Sequence, residues 1–131
     1  MPEQNNILDR GFKNTRRNGQ ITGFQVGVVS EYYRGVYVPL VDSFDVTVDG
    51  ETFTGDQIQC TFNGKTYAQT ELDKLSEVRW QWLDPCFLTI NRPGGLKPGW
   101  HNVEVTCRMR ISYMPVIPVV RTYTAKLALV M

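Results

Sequence analysis

The chain has 131 residues and a formal net charge of +1, with 42% hydrophobic residues. That length suits one domain rather than two, and a domain of this size buries enough surface to fold without metal or disulfide staples. The near-neutral total argues against a nucleic acid or an anionic membrane as partner, and no apolar run approaches the ~18 residues of a membrane-spanning helix.

Met1-Pro2-Glu3-Gln4-Asn5-Asn6 is polar and lacks the apolar stretch of a signal peptide, so a single domain over residues 1–131 in the cytoplasm is expected. Ile7 to Arg17 is short and basic, with Arg10, Lys13, Arg16 and Arg17. No RNP-type aromatic pattern accompanies these cations, so they read as solvated charge and not as a nucleic-acid surface. From Gly19 to Ser30, Thr22, Phe24, Val26 and Val28 alternate with Gly23, Gln25 and Gly27. This is a strand whose thinner face lets another backbone come close.

Phe44, Val46 and Val48 alternate with Asp45, Thr47 and Asp49, and Asp49-Gly50 ends that strand with a hairpin signal. Ile58-Cys60-Phe62 forms a third strand, and Asn63-Gly64 suits a type I′ turn into Lys65–Ala68. Thr70–Leu75 is the one plausible helix, with Thr70 as cap and Asp73 placed like the acid of a capping box. Val78–Leu83 is apolar and puts Trp80 and Trp82 in one phase. Cys86–Asn91 is a strand, and Leu96-Lys97-Pro98-Gly99 fits a type II turn that launches the next one.

That next strand, His101–Tyr113, alternates strictly. Val103, Val105, Cys107, Met109, Ile111 and Tyr113 share one face, and Asn102, Glu104, Thr106, Arg108, Arg110 and Ser112 the other. In the closing segment Val119–Met131 both phases are fairly apolar, as in a central or doubly covered strand. No helix is long enough for a parallel crossover. The pattern therefore predicts an all-β fold: a two-sheet antiparallel β-sandwich of jelly-roll or immunoglobulin type, with seven to nine strands and at most one short helix.

Little in the chain carries chemistry. Cys60, Cys86 and Cys107 each share the apolar phase of their strands and read as buried, reduced thiols. His101 is the sole histidine and reads as a satisfied residue at a strand start. No nucleophile-elbow, zinc-protease, P-loop or dinucleotide fingerprint occurs. Asp42, Asp45, Asp49, Glu51 and Asp56 are the densest acids, and a solvated surface is the plain reading of them. No catalytic, cofactor-binding or metal-binding residue is expected in this chain.

Two segments are too apolar for solvated loops. One is residues 32–41, with Tyr32, Tyr33, Arg34, Tyr37, Val38, Pro39 and Leu40; the other is Met114, Pro115, Val116 and Ile117, followed by Pro118. Both can fold back over the domain's own core, or both can meet another chain. Tyr and Arg favour interface centres, and two such loops exceed the apolar surface that a small monomer usually shows. A partner interface over these residues is the expectation. Arg108 and Arg110 join it by pairing with partner carboxylates, unless they are simply solvated. The prolines exclude regular strand pairing around residues 115–118.

Phe44–Glu51, Trp80–Pro85, Leu96–His101 and the run Arg108-Met109-Arg110-Ile111-Ser112-Tyr113-Met114-Pro115 resemble the small β subunit of bacterial C-glycoside deglycosidases, and the likeness extends over most of the chain. The resemblance implies a β-sandwich that serves an enzyme cleaving the carbon–carbon bond between a 3-oxo-glucosyl group and an aromatic aglycone such as a flavone. It also implies a catalytic TIM-barrel α subunit that carries a divalent metal, usually manganese, and a histidine base, in a higher-order αβ assembly. Oxidation at C3 of the sugar acidifies the neighbouring C–H, and a metal can stabilise the resulting enolate. None of those catalytic residues maps onto this chain. The alternatives are a free-standing carbohydrate-binding sandwich that stacks sugars on Trp80, Trp82 or Trp100, and a jelly-roll enzyme, for which one histidine is too few.

Overall fold

A computed structural model describes residues 7–8, 11–29, 36–37, 41–75, 79–80, 85–111 and 117–129. Among the described residues eleven strands follow in chain order: β1 (Lys13–Arg17), β2 (Gln20–Val29), β3 (Val36–Tyr37), β4 (Val41–Val48), β5 (Glu51–Phe53), β6 (Ile58–Phe62), β7 (Lys65–Ala68), β8 (Arg79–Trp80), β9 (Pro85–Asn91), β10 (Gly99–Ile111) and β11 (Ile117–Leu129). They form a five-stranded sheet in the order β1-β2-β9-β6-β7, a four-stranded sheet in the order β11-β10-β4-β5, and the small pair β3-β8. Every described ladder is antiparallel. The two-sheet, all-β expectation holds.

Alternation explains the core. Phe24, Val26 and Val28 of β2, Cys86, Leu88 and Ile90 of β9, and Ile58, Cys60 and Phe62 of β6 point inward. They share one buried cluster with Phe44, Val46 and Val48 of β4 and Val103, Val105, Cys107 and Met109 of β10. Each such side chain contributes about 1.5–3 kcal/mol before conformational entropy is subtracted. On the opposite phase of β10, Asn102, Glu104 and Arg108 are exposed. The long strand thus has the expected two faces, beginning two residues earlier than the alternation alone suggests because Gly99 already pairs with Leu129.

Three tight turns share one chemistry. Asn18-Gly19, Asp49-Gly50 and Asn63-Gly64 all have positive φ at both residues, the geometry of a type I′ hairpin. The first joins β1 to β2, and β1 itself is a strand that the basic segment 7–17 does not announce. At Gly23 a Cβ would lie 1.9 Å from the carbonyl oxygen of Ile90, so the close backbone approach expected on this face is real.

Three expectations need correction. The segment after β7 is a 3-10 helix over Gln69–Lys74 that starts from Ala68, and Thr70 does not cap it. Buried Gln69 sets its position instead, because its Oε1 accepts from the Phe44 N–H and its Nε2 donates to Gly55 O at 3.0 Å. Among the described residues, the closing strand β11 is not central but an edge. Leu127 and Leu129 are buried, whereas Val120, Thr122, Thr124, Lys126 and Ala128 are exposed. Finally, Ile117 and Pro118 do pair, with Ile111 and Arg110. An edge strand tolerates proline, because the missing N–H falls where no second neighbour needs it.

The three cysteines are free and buried. Burial, helped by a hydrogen bond with Cys60, pushes the Cys86 thiol well above its ordinary value. All three pack as small hydrophobes in the core cluster.

Candidate functional site

The sandwich has two unlike ends. At one, Val29 pairs with Pro85, Val41 with Met109, and Ile111 with Ile117. Trp80 of β8 is buried there, with the edge-to-face rings of Phe44 and Phe62 at 5.9 and 5.8 Å. These contacts bring the two sheets' ends together at the same pole. The strand ends flanking 30–35, 38–40, 81–84 and 112–116 therefore all meet at this pole.

The expected interface residues map onto this pole unevenly. Tyr32, Tyr33, Arg34, Val38, Pro39, Leu40, Met114, Pro115 and Val116 lie outside the described residues. Tyr37 is in β3 opposite Arg79, Ile117 is opposite Ile111, and Arg110 is opposite Pro118. Arg108 is exposed, and its guanidinium already has an in-chain carboxylate, Asp45, with Ser43 alongside at 3.5 Å. Trp80 is a core residue with no face to offer a sugar. Trp100 is 66% exposed, with Lys126 Nζ 5.8 Å from its ring centre, and Trp82 lies outside the described residues.

The other pole is closed by the 92–98 connection between β9 and β10. Asn14 of β1 holds it like a strand: Asn14 Nδ2 donates to Leu96 O at 2.9 Å, and Leu96 N donates to Asn14 Oδ1 at 2.8 Å. Arg92 bonds Gly95 O and forms an ion pair with Glu51 of β5 at 3.1 Å. His101 of β10 reaches Lys97 O through Nε2 and Asp49 Oδ2 through Nδ1, both at 2.6 Å. Both of these atoms are hydrogen-bond acceptors, one at each ring nitrogen. Asn102 N donates to Asp49 Oδ1 at 2.8 Å, and that bond, followed by the one from His101, lowers the Asp49 carboxyl below its ordinary value.

Asn14, Asp49, Glu51, Arg92 and His101 line a cleft of about 560 Å³ with Ile21, Val48 and Pro98. Asn14, Asp49, Glu51, Arg92 and His101 all spend their polar atoms on the chain's own backbone or on an opposite charge. The result is a clasp that joins strands of both sheets. Sequence reasoning identified His101 as satisfied but read Asp45, Asp49 and Glu51 as solvated acids. Each binds a basic side chain from a distant segment (Arg108, His101 and Arg92 respectively), which spacing alone cannot reveal. Among the described residues, no group of three His, Cys, Asp or Glu is placed to hold a metal ion.

Comparison with known proteins settles the lineage. The profile of the C-glycoside deglycosidase beta subunit family matches residues 2–113. The chain belongs to this family. A C-glycoside deglycosidase beta subunit of Eubacterium cellulosolvens is 37% identical over 116 residues, covering 88% of this chain and 79% of the relative. A 3'-dehydrocarminate deglycosidase beta subunit of a Microbacterium species is 33% identical over 86 residues, 65% of this chain and 64% of that protein. A C-glycoside deglycosidase beta subunit of Arthrobacter globiformis is 28% identical over 97 residues, 73% of this chain and 74% of the relative. As a member of a β-subunit family, the chain is part of a multi-subunit enzyme and has a partner subunit.

Proposed function

We propose that this chain is the non-catalytic β subunit of a lyase that cleaves the carbon–carbon bond of 3-oxo-C-glucosides of aromatic aglycones, in the cytoplasm of a bacterium. The observation that carries the reading is the family match over residues 2–113. The catalytic groups, including the divalent metal (manganese), belong to a large TIM-barrel subunit, several copies of which assemble with this chain. The present chain stabilises that subunit and shapes the surroundings of its active site.

The two poles support a division of labour. The clasp pole is satisfied internally, whereas the opposite pole gathers the strand ends next to the tyrosine-rich and Met-Pro segments. We place the docking surface at this second pole, on Tyr32, Tyr33, Arg34, Tyr37, Val38, Pro39 and Leu40, with 114–117. Aromatic and Arg side chains are the usual anchors of interfaces.

Co-expression with the large subunit tests the assignment. The two chains are expected to co-elute in size-exclusion chromatography and to cleave a 3-oxo-C-glucoside only together. Tyr37→Asp combined with Leu40→Asp is expected to abolish co-elution while the circular dichroism of the isolated chain stays that of a β protein. A wild-type chain that folds but ignores the large subunit would refute the reading. A double variant that still assembles would move the interface elsewhere.

A further inference from the structure

Sheet edges need protection, because unpaired backbone groups template further pairing, and short strands, bulges and charges are the usual means. Three of the four main edges have it. β5 has three residues, and β7 has four and begins with Lys65. β1 has five, a register shift between Thr15 and Arg16, and the exposed cations Lys13, Arg16 and Arg17. The fourth edge, β11, is neither short nor bulged, and its exposed charges are Arg121 and Lys126. It runs for 13 residues in unbroken register with β10. Its outward phase is Val120, Thr122, Thr124, Lys126 and Ala128, with Val120 56% exposed and Lys126 the one charge. Among the described residues, no strand pairs with its outer side.

We propose that the outer edge of β11 pairs antiparallel with β11 of a second copy of this chain, about a twofold axis at Thr124. Directly opposed residues of an antiparallel pair share a face, and a twofold axis pairs a surface with itself. Centred on Thr124, this register sets Thr124 against its own symmetry mate, Thr122 against Lys126, and Val120 against Ala128. In the other phase Tyr123 is opposite Ala125, and Arg121 is opposite Leu127. No like charges oppose each other, and Pro118 falls outside the paired span. The central Thr–Thr contact repeats a device used within the chain. Thr47–Thr52, Thr61–Thr66 and Thr106–Thr122 bond across neighbouring strands at 2.9, 2.8 and 3.1 Å, and such pairs stabilise sheets. Pairing joins the two four-stranded sheets into one that runs through both copies. This inference is independent of the docking surface at the other segments, and its failure leaves the family reading untouched.

Light scattering on the full chain, alone and in complex with the large subunit, tests it. The wild type is expected to dimerise through itself, and Thr124→Lys, which sets two ammonium groups together at the axis, to weaken that dimer about tenfold or more. Thr124→Val is expected to retain it. Thr124→Cys is expected to cross-link to its own mate under mild oxidation on a non-reducing gel, while buried Cys60, Cys86 and Cys107 do not react. Cross-linking keeps the proposal testable even if Thr124→Lys fails to fold. A wild-type chain that is monomeric at every concentration, together with a Thr124→Cys variant that yields no cross-link, overturns it. So does hydrogen-exchange protection of 119–129 that arises only when the large subunit is added.

Discussion

Asp49 and His101 stand 52 positions apart in the chain, yet the carboxylate Oδ2 lies 2.6 Å from the imidazole Nδ1. The contact joins the β4–β5 turn to the start of β10, and through Lys97 O it reaches the loop that closes the sandwich. Asp49 also exchanges bonds with Asn102, giving its own N–H to Asn102 O at 3.0 Å and receiving the Asn102 N–H on Oδ1. One turn residue therefore orders three segments.

The Asp49 carboxyl is lowered by the Asn102 N–H first and by His101 second. A depressed carboxylate contributes stability above its unfolded value, and that stability is lost as pH falls through the folded value. Asp49→Asn keeps a side chain that tolerates the positive φ of this turn. The variant is expected to melt below the wild type at neutral pH, and the gap is expected to close as the solution is acidified. Thermal scans over that range check it, and a gap that stays constant with pH would contradict it.

Gln69 is the one buried polar side chain among the described residues. It bonds the Phe44 N–H and Gly55 O. Gln69→Leu leaves both groups without that partner in a dry interior, where an unsatisfied group costs about 1–3 kcal/mol. Urea denaturation is expected to show a lower midpoint with an unchanged slope.

Glycines 23 and 27 lie on the same face of β2 but differ in what surrounds them. A methyl at Gly23 meets the Ile90 backbone at 1.9 Å, whereas one at Gly27 meets the ends of Leu8 and Phe87 at 2.9 Å. Side-chain ends can turn aside, and a paired backbone cannot without disrupting its ladder. Gly23→Ala is expected to cost more than Gly27→Ala, beyond the roughly 1–3 kcal/mol typical of overpacking. The reverse order in denaturation midpoints would refute this account.

The buried thiols should be inert in the folded chain. Burial holds the Cys86 thiol protonated, and only the thiolate reacts. An aromatic disulfide reagent is expected to label none of Cys60, Cys86 and Cys107 under native conditions and all three in denaturant.

What the sequence made legible follows from range. Alternation at residues 103–109, and the Asp49-Gly50 and Asn63-Gly64 turns, are read from a few neighbouring residues, and the structure reproduces them. Strand β1 was hidden because KNTRR shows no alternation, and its pairing with β2 depends on the Asn18-Gly19 turn. Edge position was hidden for β11 because an apolar composition does not say how many neighbours a strand has. The clasp was hidden most deeply. Arg92 and Glu51 are 41 residues apart, and Asn14 and Leu96 are 82 apart. No local spacing brings such pairs together; the sheet order does. That a partner subunit exists came from the family, because an interface depends on a second surface that this chain does not encode.

The clasp gives the protein a built-in magnetic-resonance label. His101 is the only histidine in the chain, so its ring protons need no assignment by mutagenesis, and their two partners sit on separate segments. A single pair of resonances can therefore watch the 92–98 closure in the isolated chain and in the assembled enzyme. It reads the clasp pole, at the far end of the sandwich from the docking surface proposed above.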